Sequence, residues 1–237
     1  MNPLSGVLGE AWAMYRAHAA HLLTIAFVIY LVAAVAAAVL GLAGGIVGAL
    51  LGSVVELVAA FLVQAALVKA VQDVRDGRVD LSFSETVSAA APYIWAVAGA
   101  SILAGIAIII GLVLVVAPGL YLITIWAVIV PVIVIERSGA LASFGRSQQL
   151  VRGRGWHVFG TLVLVFLILI VVDLVLGIIF SALPVLWRSG LSTVVSGTLI
   201  APFLALVVTL IYYRLSGANG GGQGPVTDNP GGGFGTA

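Results

Sequence analysis

Two carboxylates, Glu56 and Asp173, stand inside long apolar runs, with the amide of Gln64 two helical turns beyond Glu56. An ionised carboxylate at the centre of a bilayer costs at least about 2.5 kcal/mol, and neither run has a Lys or Arg in its middle to pair with it. Such a group escapes by taking a proton, by holding a cation or by opening onto water. Glu56, Gln64 and Asp173 are therefore the intramembrane polar residues that a proton- or cation-linked transporter would use; the plainer alternative is a pair of protonated structural acids. Counted at about 1.5 Å per residue, both acids lie roughly 20 Å from the same membrane face. Gly48, Gly52, Glu56, Ala60 and Gln64 recur at every fourth position, as do Asp173, Gly177 and Ser181. The two stripes of small and polar groups are expected to meet inside a helical bundle, with Gly48 and Gly52 permitting close backbone approach.

A second group carries the opposite charge. Arg137, Arg146, Arg152 and Arg154 follow one another with no acid between Glu136 and Asp173, and Trp156 and His157 come directly after. A guanidinium fork pairs with phosphate oxygens through two parallel hydrogen bonds, and each cation beside an anionic surface contributes about 1 kcal/mol. Arg137, Arg146, Arg152, Arg154 and Trp156 are thus the candidates for holding an anionic lipid headgroup. The competing reading is that these arginines only fix the orientation of the chain.

Catalytic and metal chemistry find little support. His18 and His21 lie one turn apart and His157 is expected at the same level, which falls short of a ligand set, and the chain has no cysteine. There is no HExxH, no GxSxG and no phosphate-loop lysine. No metal or cofactor is expected, and nothing assembles a nucleophile, a base and an oxyanion site, so the chain reads as a non-enzyme.

The elements that position these residues follow from hydropathy. Of 237 residues, 62% are hydrophobic and only 8% charged, far below the roughly 25% charge of soluble proteins. Apolar stretches at about 22–40, 46–70, 93–117, 120–135, 157–181 and 193–213 are each long enough, or nearly so, to cross about 30 Å of hydrocarbon. Alternating from an inside N-terminus, they put Arg16, Lys69, Arg75, Arg78, Arg137, Arg146, Arg152, Arg154 and Arg214 on one side and only Arg188 on the other. That is the positive-inside bias, and it predicts that both termini are cytoplasmic. Net charge is +1, so only its segregation carries information; nucleic acid is not an expected partner.

The pattern reads as one unit used three times, a short cytoplasmic interfacial helix followed by a membrane hairpin. Leu4, Val7, Leu8, Trp12 and Tyr15 form the apolar face of the first such helix. Ser82 and Glu85 have capping-box spacing for a second over 83–91, and a third is expected over about 139–152. The hairpins are expected to turn at Gly41, Gly44 and Gly45, at Pro118 and Gly119, and within Leu183 to Leu191. Tyr93, Trp95, Trp156, Tyr212 and Tyr213 fall at the expected inner interface, and Tyr121 and Trp187 at the outer. Pro131 and Pro202 lie within spans and should kink them. The charged stretch Asp73, Arg75, Asp76, Arg78 and Asp80 reads as a solvated loop. From Gly217 onward nine of 21 residues are Gly, too little apolar surface to bury a core, so residues 216–237 are expected to be a disordered tail after a 1–215 membrane domain.

Pro118-Gly119-Leu120-Tyr121-Leu122, Pro131, Glu136, Arg146-Ser147, Leu150-Val151-Arg152-Gly153-Arg154, Trp156 and Val158-Phe159-Gly160 together resemble the glycerophosphoryl diester phosphodiesterase membrane-domain family. The resemblance covers about 80–165 at motif level, with Gln148 standing where an aromatic residue is usual. It implies a six-helix membrane module, found alone or fused to a soluble phosphodiesterase, and no such domain follows residue 214 here. Together with nine Arg against one Lys, it implies a bacterial source.

The expected protein is an all-α, six-span module of the bacterial cytoplasmic membrane that associates with phospholipid bilayers through anionic headgroups. A homo-oligomer or a membrane protein partner is compatible with the sequence. The alternative is a small transporter built on Glu56, Gln64 and Asp173.

Overall fold

The computed structural model describes Leu4, residues 6–75 and residues 82–220; Asp76, Arg78, Asp80 and the tail from 221 lie outside the described residues. Those described are helical almost throughout, with no strand among them: α1 (Val7–Ala17), α2 (Ala19–Arg75), α3 (Phe83–Ala90), a single 3-10 turn (Ala91–Tyr93), α4 (Ile94–Leu114), α5 (Val116–Ile125), α6 (Ile129–Glu136), α7 (Ala140–Val151), α8 (Gly155–Ser181) and α9 (Val185–Gly220). Five helical stretches are long and apolar enough to cross a membrane: Ala19–Arg75, Phe83–Leu114, Val116–Glu136, Gly155–Ser181 and Gly190–Gly217. The sixth expected span does not stand alone, because residues 22–40 and 46–70 both belong to α2. The last helix also continues through 216–220, which were expected in the tail.

Small residues set the geometry of α2. Gly45 interrupts the helix with φ 55° and ψ −132°, a conformation open essentially to glycine alone. Beyond it, a Cβ on Gly48 would lie 1.9 Å from the Leu40 carbonyl oxygen, and one on Gly52 3.1 Å from Ala37 Cα. The glycine pair thus does permit close approach, and the backbone it lets in is that of α2 itself.

Between α4 and α5 the chain turns at Val115, which is extended (φ −155°, ψ 131°), rather than at Pro118 and Gly119. Pro118 sits in the first turn of α5, where its missing N–H has no helical partner to lose. Gly119 is needed for a different reason: a Cβ there would fall 2.4 Å from Leu112 Cγ.

The two prolines within spans behave differently. Pro131 lies in the first turn of α6, and the α5–α6 helix is broken just before it, over Trp126 to Val128. A proline ring clashes with the carbonyl four residues earlier, here that of Ala127, which accounts for the place of the break. Around Pro202 α9 stays continuous. The Tyr15 hydroxyl donates to the Leu199 carbonyl (3.1 Å), within the turn that the proline deprives of a donor.

The short helices form where capping and periodicity place them. Ser82 and Glu85 close a complete capping box at the start of α3. α1 does not lie free on a surface: Leu4, Val7 and Ala11 are buried, Trp12 and Tyr15 pack on Phe203 of α9, and Glu10 pairs with Arg214. Most of the core lies toward one end of the bundle, where Val63 to Val71 of α2 meet Leu206 to Leu215 of α9 and Val132 to Val134 of α6. α8 stands apart, exposed along nearly its whole length and touching mainly α9 and α5.

Candidate functional site

α7 brings the candidate arginines into the fold, through its seryl and aromatic side chains. Ser143, Ser147, Leu150 and Val151 form its buried face. Phe144 packs edge-on against Trp126 (centroids 4.8 Å), and the buried Ser147 hydroxyl donates to the Ile125 carbonyl at 2.8 Å. That bond satisfies an acceptor which the break after α5 leaves without a helical donor. α7 therefore folds back along the broken α5–α6 segment; the expected interfacial helix is a packed element.

This packing changes the electrostatics. Arg146 Nε donates to both Glu136 carboxylate oxygens (3.0 and 2.9 Å), and the Tyr212 hydroxyl donates to Oε1 (3.0 Å). The Glu136 side chain is 25% exposed and that of Arg146 43%. The hydrogen bond to Glu136, helped by its negative charge, raises the Arg146 pKa above its ordinary value. Arg146 was expected to be uncompensated; it is instead neutralised, and α6, α7 and α9 are tied together at Glu136.

Arg152 and Trp156 stand differently. Gly153, with φ 81°, reverses the chain between α7 and α8 in a conformation that suits glycine. On one side of this turn Gln148, Gln149, Arg152, Tyr121 and Ile125 line a cleft of about 650 Å³. On the other, Ala117, Leu120, Thr124, Trp156 and Phe159 line an adjoining one of about 650 Å³, and Tyr121, Ile125, Gly153 and Gly155 border both. The two clefts thus share a wall of glycine, Tyr121 and Ile125, and both are mainly apolar, with Gln148, Gln149 and Arg152 lining only the first. Trp156 is 85% exposed and meets Phe159 edge-on (6.1 Å). Tyr121 was expected at the interface opposite Arg152, and the two line one cleft.

Arg137 ends α6 with φ 54°, and Arg154 lies in the turn before α8. Four other cations sit against aromatic or acidic groups: Arg16 over Trp12 (5.7 Å), Lys69 over Tyr93 (5.3 Å), Arg75 over Tyr213 (3.6 Å), and Arg214 with Glu10.

The acids do not meet as expected. Glu56 on α2 and Asp173 on α8 are both exposed on the outside of the chain, and Gln64 is half-buried. α2 and α8 are not among the closely packed helix pairs. The Gly48 to Gln64 stripe turns its glycines, not its carboxylate, toward a neighbour. His18 Nδ1 lies 3.3 Å from the Met14 carbonyl, and no three His, Asp or Glu side chains converge among the described residues. From the sequence Tyr212 was only an interfacial aromatic and Ser147 only part of a motif; their hydrogen-bonding roles were not legible, because their partners lie 76 and 22 residues away.

No family model, no curated protein and no solved structure matches this chain.

Proposed function

We propose that this chain is a non-enzymatic module of the bacterial cytoplasmic membrane that holds an anionic phospholipid in the cleft between α5, α7 and α8. The observation that carries the reading is the joined pair of chambers. Arg152, Gln148 and Gln149 offer charge-assisted and neutral donors to a phosphate-bearing headgroup, while Leu120, Trp156 and Phe159 offer an apolar wall to its acyl chain. An amphiphile is the ligand whose two halves match such a pair.

The topology in this reading is six spans with both termini cytoplasmic. At about 1.5 Å per residue the 57 residues of α2 would extend roughly 85 Å, nearly three bilayer cores. The break at Gly45 and the approach of Gly48 and Gly52 to Leu40 and Ala37 support two crossings there. Lys69, Arg75, Arg146 and Arg214 gather near one end of α2, α6 and α9, which supports a single basic face. The transporter alternative is weaker, since Glu56 and Asp173 do not share an interior site.

Native mass spectrometry of the full chain released from mild detergent tests the proposal. Retained phosphatidylglycerol or cardiolipin is expected, with at least about a tenfold loss of occupancy in Arg152→Gln and Trp156→Ala, equivalent to 1.4 kcal/mol. Equal lipid retention in both variants and the parent would sink it.

A further inference from the structure

A carboxyl on α8 has no role in the lipid cleft and no partner in the chain. α8 packs inward along a single stripe: Val158, Val165 and Phe180 are buried, and Leu162 and Leu169 lie against the core. Asp173 stands beside that stripe on the open side, exposed, with no hydrogen bond or ion pair among the described residues. The helix runs 27 residues from Gly155 to Ser181, and Asp173 lies about 7–8 Å along the axis from its midpoint. In the span that this stretch is long and apolar enough to form, the carboxyl faces hydrocarbon near mid-bilayer, where a polar group needs a partner.

The same side of α8 has the pattern of a helix seam. Phe166, Ile170, Asp173 and Gly177 follow at spacings of four, three and four, and all are exposed. Two helices interlock with that rhythm, and a polar member of the seam sets register and partner number. Gly177 is a separate sign. Glycine weakens a helix relative to alanine, yet a Cβ here would meet nothing within 4 Å in this chain. Gly48, Gly52 and Gly197, by contrast, make room for Leu40, Ala37 and Tyr30. A glycine one turn beyond a polar side chain lets a neighbouring helix come close enough to reach it.

The chemistry of the carboxyl selects that neighbour. A second copy in the same orientation holds its own Asp173 at the same depth, and a protonated carboxyl is its own complement, donating through the hydroxyl and accepting through the carbonyl oxygen. We propose that α8 pairs in parallel with α8 of a second copy along this seam, about a two-fold axis normal to the membrane, and that Asp173 of the partner subunit completes the hydrogen bonding of Asp173. The pairing rests on α8 spanning the membrane and not on lipid in the cleft. Glu56 has no equivalent seam, since Gly48 and Gly52 of its stripe are already filled by the backbone of α2.

The chain has no cysteine, so single-cysteine variants of the full chain report the pairing directly. In proteoliposomes under mild oxidation, Ile170→Cys on the seam should give a disulfide-linked dimer. Val171→Cys, at nearly the same depth but about 100° further round the helix, should not. With Ile170→Cys as reporter, Asp173→Leu or Gly177→Leu should raise the protein-to-lipid ratio for half-maximal cross-linking about tenfold. Asp173→Asn, whose amide also donates and accepts, should keep the parent ratio, as should Glu56→Gln and Arg152→Gln. In excess detergent that separates the copies, Asp173→Leu should unfold at or above the parent temperature, which distinguishes lost pairing from lost structure. Equal cross-linking at 170 and 171, none at 170, or an unchanged ratio in Asp173→Leu would overturn the proposal. An impermeant thiol reagent applied before oxidation separates the two ways of failing: it labels both cysteines if α8 is not a span, and neither if α8 crosses the bilayer unpaired.

Discussion

Replacing Glu136 by Gln removes the charge that Arg146 and Tyr212 share while keeping one acceptor oxygen. Because the Arg146 side chain is nearly half exposed, solvent screens the ion pair, and a loss of about 1 kcal/mol is expected as a lowered unfolding midpoint in detergent. Ser147→Ala should lose about 1–3 kcal/mol, because its hydroxyl and the Ile125 carbonyl are closed off from water and the carbonyl is left unpaired. Tyr212→Phe should lose less than Ser147→Ala, since Glu136 retains Arg146. If Ser147→Ala unfolds with the parent midpoint, α7 is not anchored at the break in α5–α6. The Ser82 hydroxyl and backbone N–H both donate to the Glu85 carboxylate.

Among the elements, the two halves of α2 depend on the absence of side chains. Gly48→Ala should destabilise by about 1–3 kcal/mol, because its Cβ would meet the Leu40 carbonyl rather than a side chain that could swing away. Gly105→Ala in α4 meets nothing within 4 Å and should gain up to about 1 kcal/mol from helix propensity. Equal effects of the two substitutions would contradict the close approach about Gly45. These local features were legible in the sequence: the capping box at Ser82 and Glu85, the limits of α3 and α7 to within about a residue, the glycine pair and the break at Pro131. Each depends on residues a few positions apart. Pro118-Gly119 misled because a turn dipeptide also suits the start of a helix, and the glycine there makes room for Leu112. The docking of α7 and the Glu136 pair were not legible, since both need partners brought from far along the chain. Equal depth of Glu56 and Asp173 was countable, but depth along separate helices does not say which face of each turns inward.

Across the whole molecule, the distribution of cations makes the topology testable. Ala43→Cys, near the Gly45 break, and Ser216→Cys, at the end of α9, should react with an impermeant thiol reagent from opposite membrane faces. Labelling of both in intact cells would refute the proposed arrangement. The contacts between α1 and α9 have a further consequence, and it concerns time. Glu10 is separated from Arg214 by 204 positions and Tyr15 from Leu199 by 184, so the first helix meets its partner only when the last is made. At about 5–20 residues per second, roughly 10–40 s of synthesis separate the two. Throughout that interval the aromatic face of α1 must be sheltered by lipid or by the insertion machinery. A ribosome that stalls before residue 199 would leave an unlatched first helix, so this contact reports whether synthesis has passed through α9.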